Sequence, residues 1–170
     1  LQDSDDIWLP TKLSNQVVVM NANPEVAICW TQIHTMNDQG QIIRQNSIAE
    51  SYHVYKKINL DVMMPSQPPV TIETRAVHYR KGSLMQIMFL GNPVHPPVAL
   101  MRRSAVAKAG GLDLTYAWTC EDYEFFWRVS EHGLGAYIEE PGMLYRVGAQ
   151  DQLTQNDLML FIALGNQKAL

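Results

Sequence analysis

A chain of 170 residues with 46% hydrophobic and 18% charged residues is long enough to bury a core and too apolar to stay disordered. Its 13 Lys plus Arg against 17 Asp plus Glu leave a net charge of −4, which offers no phosphate-tracking surface and excludes nucleic acid as the expected partner. The two cysteines, Cys29 and Cys120, make neither a disulfide framework nor a CxxC pair, and no run reaches the roughly 18 apolar residues of a membrane span. The first residues show no basic region leading into an apolar one, so no secretory signal is read there. A reducing, cytoplasmic compartment is the expectation.

The chain opens with three carboxylates, Asp3, Asp5 and Asp6, set between Leu1 and the apolar pair Ile7-Trp8. Its leading residues read like the end of a buried strand, so further sequence is expected upstream. Leu9-Pro10 then reads as a helix start, because proline is tolerated at the first helical position. Leu13, Val17 and Met20 follow at helical spacing until Asn21-Ala22-Asn23-Pro24 stops the helix. Residues 26–36, VAICWTQIHTM, are rich in β-branched and aromatic side chains and predict a strand. The turn residues Asn37-Asp38-Gln39-Gly40 and a returning strand at 41–44 complete a hairpin.

Residues 45–79 carry no clear periodicity, and PSQPP at 65–69 is loop material. A short apolar helix is expected over 83–90, then a strand at 98–101 and a short helix capped by Ser104 and ended by Gly110-Gly111. Thr119 is the expected N-cap of a helix over 121–131, which carries Tyr123, Phe126, Trp127 and Ser130 at helical spacing and closes at Gly133. A strand at 136–138, a Pro141-Gly142 turn, a strand at 143–147 and a last helix from about 155 finish the chain. Strands alternating with helices predict one α/β domain over residues 1–170. The apolar run LMLFIAL at 158–164 would seek a partner, a second copy included, or the membrane surface.

Two acidic clusters carry the candidate chemistry. Asp3-Ser4-Asp5-Asp6 is a DxD followed by another Asp. At the carboxyl end of a strand such carboxylates face the crevice where open α/β sheets bind ligands. Hard oxygen ligands suit Mg²⁺ or Mn²⁺, above all where substrate phosphates complete the coordination. A solvated acidic turn is the plain alternative. An EF-hand is excluded because Ile7, Trp8 and Leu9 stand where further oxygen ligands and a glycine belong. A haloacid-dehalogenase-like phosphatase with Asp3 as nucleophile fits loosely and lacks the usual Gly and Thr.

The second cluster is Glu121-Asp122. Acidic residues in a first helical turn stabilise the positive end of the macrodipole, and a carboxylate held there beside a cleft also suits a general base. The Arg102-Arg103 pair matches phosphate geometry or a solvated face, and His95 a substrate contact or a satisfied loop position. Tyr123, Phe126 and Trp127 read as core.

Taken together, LQDSDDIWLPTKLSNQVVVMNANPEVAI resembles the segment of family 2 glycosyltransferases that runs from the DxD through the following helix. LGNPVHPPVALMRRSAVAKAGGLD, then WTCEDYEFFWRVSEHG, resembles their acceptor-side segment, and EEPGMLYRV the strand after it. The resemblance implies a glycosyltransferase-A type fold, a mixed, mostly parallel sheet flanked by helices. It implies transfer of a sugar from a nucleotide-diphosphate donor to a glycan or glycolipid hydroxyl, with inversion, in cell-envelope polysaccharide or glycolipid assembly at the inner face of the membrane. Under it Asp5 ligates the divalent metal, with Asp3 supporting the metal or the ribose. Asp6 and Arg103 contact the nucleotide sugar. Asp122 is the general base, and Glu121 and His95 meet the acceptor. Family members carry a nucleotide-recognising portion before the DxD, and this sequence starts at the DxD. A truncated, inactive binding or assembly module of the same fold is therefore the alternative reading.

Overall fold

The computed structural model describes residues 3–113 and 120–148. In chain order the elements are β1 (Ile7–Trp8), α1 (Lys12–Ala22), β2 (Val26–Met36), β3 (Ile42–Arg44), α2 (Ile48–Ser51), α3 (Leu60–Met63), β4 (Val70–Ile72) and β5 (Arg75–Val77). They continue as β6 (Tyr79–Gly82), α4 (Leu84–Met88), β7 (Leu100–Met101), α5 (Arg103–Ala109), α6 (Glu121–Ser130) and β8 (Leu134–Arg146), with 3₁₀ turns at His53–Lys56 and Pro96–Val98.

Two long strands carry the sheet. β2 and β8 run parallel, paired from Val26↔Leu134 to Met36↔Arg146. β2 is buried along its length apart from His34, as a strand covered on both faces must be. One core gathers Ile28, Trp30, Tyr137 and Met143 under α4 and α6. The other gathers Cys29, Ala136 and Ile138 against Val19 and Met20 of α1. The alternation of side chains along β2 and β8 thus divides the molecule into helix, sheet and helix layers. The expected mixed α/β architecture is present.

Its predominantly parallel character is not. Among the described residues β2–β8 is the parallel pair of the main sheet, while β1 and β6 on β8, and β3 and β7 on β2, are all antiparallel. The β2–β3 partners return through a tight turn, in which the Asn37 side chain accepts from the amides of Gln39 at 3.1 Å and Gln41 at 2.9 Å. The connection from β2 to β8 is a crossover with helices in it, as a parallel pair requires.

The register also corrects the late strands. Residues 134–146 form one strand, and Pro141-Gly142 is a bulge within it: Thr31 pairs with Ile138, Gln32 with Pro141 and Ile33 with Met143. A bulge accommodates a proline that a regular ladder rejects. Gly142 is held there by space, since a Cβ would collide with the Thr31 hydroxyl and the Lys12 stem.

Of the apolar residues at helical spacing in α1, Met20 is buried and Leu13 and Val17 are not, because the buried face is mostly polar. Lys12, Asn15, Gln16, Val19 and Met20 are buried, whereas Leu13 and Val17 are 45% and 47% exposed. The polar stripe is tolerated because it is hydrogen-bonded. Gln16 Nε2 donates to the carbonyls of Cys29 at 2.9 Å and Val98 at 2.8 Å, and Lys12 Nζ donates to Gln16 Oε1 at 3.0 Å. The Lys12 ammonium also lies 4.1 Å from the centre of the Trp8 ring.

Burial pushes Lys12 down to about 8. A folded value below that of the unfolded chain means that the ammonium is a burden up to about pH 8, relieved between there and the ordinary lysine range. Thermal stability is accordingly expected to rise between pH 8 and 10 relative to Lys12→Met. Parallel pH profiles of the two proteins by scanning calorimetry would contradict this.

The remaining corrections are local. Residues 96–98 form a 3₁₀ turn, so the strand shrinks to Leu100–Met101. Helix α5 starts at Arg103 with Arg102, not Ser104, at the N-cap position. α4 is capped as its sequence predicts, the Ser83 hydroxyl accepting from the Gln86 amide at 3.4 Å. Cys120 occupies the cap of α6 in a left-handed conformation at φ 67°; the predicted cap Thr119 and the predicted last helix lie outside the described residues. Among the described residues no helix is long and apolar enough to cross a membrane.

Candidate functional site

The topology brings the two acidic clusters to one end of the sheet. β1 is antiparallel to β8, pairing Ile7 with Leu144, so the Asp3–Asp6 loop before it lies at the carboxyl ends of β2 and β8. The last helix of a crossover between parallel strands runs back against them, so the N-terminus of α6 comes to the same end. Asp3 and Asp122, distant in sequence, feel each other electrostatically.

The acidic loop is held by Arg146. Its amide donates to Asp6 Oδ1 at 3.0 Å, and its guanidinium donates to the Asp5 carbonyl at 3.0 Å and to the carbonyls of Asn37 and Asp38 at 2.9 Å each. One side chain thereby ties the loop to the β2–β3 turn. Asp6 is buried, and its other oxygen, Oδ2, has no hydrogen-bond partner among the described residues. Burial pushes its carboxyl up to about 6, with Asp5 and Asp3 adding to the rise and Arg146 opposing it. Asp3 is raised as well, by burial and then by Asp5. Asp5 is exposed.

Asp122 is half-buried in the first turn of α6, its carboxylate accepting from the Tyr123 amide at 2.7 Å. Burial raises it to about 6, and the charges of Glu121 and Asp3 reinforce this against its hydrogen bonds to backbone amides. Such a carboxyl changes protonation near neutrality, as proton-transfer groups do. Glu121 beside it is exposed.

His95 reaches the same region on a tightly fastened loop. The Tyr55 hydroxyl donates to the Pro93 carbonyl at 2.8 Å, Val94 N–H donates to Asn92 Oδ1 at 2.9 Å, and Trp8 Nε1 donates to the Pro97 carbonyl at 3.0 Å. Its ring meets Tyr145 edge-on at 4.7 Å, and Nδ1 lies 2.8 Å from the Tyr52 hydroxyl. Burial pushes His95 down to about 4, so it is neutral at pH 7. Asp122 and Asp3 both act on Tyr52, which joins His95 electrostatically to the two acidic clusters.

The structure groups Asp3, Asp5, Asp6, Glu121, Asp122 and His95 at this end and leaves Arg103 elsewhere. Arg103 is exposed at the start of α5, lining an open groove with Val17, Met20 and Leu100. Among the described residues no hydrogen bond or ion pair joins it to the acidic loop. Its neighbour Arg102 donates instead to the carbonyls of Met20, Asn23 and Val26, closing the end of α1. Residues 103–109 form α5, whose first turn lines that groove beside α1. Sequence reasoning assigned nothing to Arg146 or Tyr52. The Tyr145-Arg146 pair sits in a recognisable late strand, but its grip on the acidic loop follows only from the β1–β8 register. Tyr52 lies in the stretch without periodicity and gave no signal.

The residues fit a divalent cation in one respect. Asp6 Oδ2 has no hydrogen-bond partner among the described residues, and Asp3 is raised first by burial and then by the charge of Asp5. Yet among the described residues no three His, Cys, Asp or Glu side chains converge on one point. A cation there would rest on one or two carboxylates and need further oxygen ligands from outside the chain. The chain matches no protein-family model, and no curated protein shows significant similarity to it.

Proposed function

We propose that this chain is the metal- and acceptor-binding part of an inverting glycosyltransferase with a glycosyltransferase-A type fold, acting on a nucleotide-diphosphate sugar and a glycan or glycolipid hydroxyl at the cytoplasmic face of a membrane. The observation that carries the reading is the meeting of two acidic clusters with unlike tasks, an open carboxylate loop and a half-buried carboxyl raised to about 6.

The reaction needs both. A sugar hydroxyl is a weak nucleophile, and Asp122 takes its proton as the oxygen attacks the anomeric carbon, which passes through an oxocarbenium-like state. Glu121 keeps Asp122 basic through its charge and faces the acceptor. Asp5 and Asp3 hold the cation, whose contribution is to stabilise charge on the departing diphosphate. Asp6 supports the loop on the donor side, and Arg146 holds that loop against the sheet. A phosphatase with Asp3 as nucleophile is less well supported, because Asp3-Ser4-Asp5-Asp6-Ile7 lacks the usual Gly and Thr.

Isothermal titration of the 170-residue chain with nucleotide-diphosphate sugars is expected to show binding that requires Mn²⁺ or Mg²⁺ and is lost in Asp5→Ala. Undiminished metal-dependent binding in that variant would defeat the assignment.

A further inference from the structure

His95 presents a buried polar atom that the fold leaves unused. Its Nε2 is out of contact with water and has no partner among the described residues, although buried polar atoms are nearly always hydrogen-bonded. Such an atom is destabilising unless a ligand completes it. The surrounding loop is not slack: Tyr55, Asn92 and Trp8 fasten it on both sides of the histidine, and the edges of Tyr52 and Tyr145 confine the ring at 5.8 and 4.7 Å. The atom is therefore held in place rather than left loose.

The chemistry of its neighbours decides which kind of group Nε2 is. Burial holds the Tyr52 phenol well above its ordinary range, with the negative charge of Asp122 adding to it, so its O–H is a donor. The group within hydrogen-bond distance is His95 Nδ1, at 2.8 Å. When the phenol donates to Nδ1, a neutral imidazole must carry its proton on Nε2.

We propose that Tyr52 and His95 form an acceptor-reading pair. Tyr52 is a positioning residue that fixes the tautomer, and His95 Nε2–H donates to an oxygen of the acceptor sugar beside the hydroxyl that Asp122 deprotonates. This rests on the transfer reading given above. The acceptor is favoured over the donor on grounds of charge. A neutral donor among carboxylates suits an uncharged hydroxyl, whereas a diphosphate there would add negative charge without a cation. Residues 45–79 would then contribute to specificity through Tyr52.

The tautomer can be read in the wild-type chain labelled with ¹⁵N-histidine, using long-range proton–nitrogen correlation. The expected result at pH 7 is a neutral His95 with its proton on Nε2, and mixed tautomers in Tyr52→Phe. A proton on Nδ1, or an imidazolium, overturns the proposal. Titration then follows with octyl glucoside, octyl galactoside and octyl N-acetylglucosaminide, in the presence of Mn²⁺ and uridine diphosphate. The Nε2 proton resonance should move with at least one glycoside and stay still with Mn²⁺ and nucleotide alone. Movement with nucleotide alone, or with no glycoside, overturns it.

In turnover, His95→Leu should raise the acceptor KM about 10-fold or more, as loss of a hydrogen bond to a substrate hydroxyl does. The donor KM should stay unchanged, and His95→Gln, which keeps an N–H, should recover part of the loss. Equal effects of the Leu and Gln variants on both KM values would make the role merely structural. Absence of any nucleotide-sugar binding would sink the transfer reading while the tautomer result stood.

Discussion

Asp122→Asn is expected to lower sugar transfer by about 10²–10⁴-fold, the usual contribution of a positioned base. The amide keeps the shape of the side chain and can still accept from the Tyr123 amide, so the start of α6 is preserved. What it loses is the ability to take a proton. In the wild type the rate should rise with pH through about 6, where Asp122 ionises, and that limb should vanish in the variant.

The stability effect has the opposite sign. A carboxyl whose folded value lies above its unfolded one favours folding only while protonated. That contribution is full below about pH 3.8 and is lost as pH rises through about 6. At pH 7 the wild type therefore carries a strained carboxylate, and Asn should stabilise the fold by about 1–3 kcal/mol. A variant that is less active and more stable is the signature of a functional group kept at a structural cost. Urea denaturation at pH 7 together with a pH–rate profile checks both halves, and a variant that is destabilised and keeps the acid limb would contradict the account.

Trp30→Ala is expected to cost about 3–5 kcal/mol, as deletion of a buried large aromatic does. Trp30 is fully buried at the middle of β2, with its ring 5.7 Å from that of Tyr137. Its Nε1 donates to the Tyr55 hydroxyl at 3.0 Å, which in turn donates to the Pro93 carbonyl at 2.8 Å. The chain of contacts runs from the sheet core to the loop that carries His95. Loss of the indole should therefore loosen that loop as well as open a cavity, and hydrogen exchange at Val94 should speed up by more than the global destabilisation requires. A loss of under 1 kcal/mol in urea denaturation would show that the two cores are not organised around this strand.

The legible and illegible parts of the molecule differ for physical reasons. β2 announces itself by continuous β-branched and aromatic residues because it is buried on both faces, and α6 by aromatic spacing on one face. β8 was divided in two because Pro141-Gly142 is turn chemistry wherever no partner strand absorbs it as a bulge. The buried face of α1 was legible only at Met20 because its buried stripe is mostly polar, and only the carbonyls of Cys29 and Val98, reached through the fold, make that tolerable for Gln16. Residues 45–79 form elements of three or four residues, too short for any periodicity to register. In the site the carboxylates themselves were readable one cluster at a time. Their meeting was implied by the family resemblance alone, because residue patterning does not show β1 lying antiparallel to β8. The place of Arg103 was not legible either: adjacency of two arginines says nothing about which of them lines the groove beside α1.

The central claim is that the acidic loop and Asp122 form one site around a cation. The most direct measurement is the titration of the Asp122 carboxyl by ¹³C NMR, in the wild type and in Asp3→Asn, with and without Mg²⁺ and a nucleotide diphosphate. Asp122 should titrate near 6 in the free protein, lower once the Asp3 charge is gone, and lower again in the wild type when cation and nucleotide are added. An Asp122 titration that neither the Asp3 substitution nor the cation and nucleotide can move would contradict it.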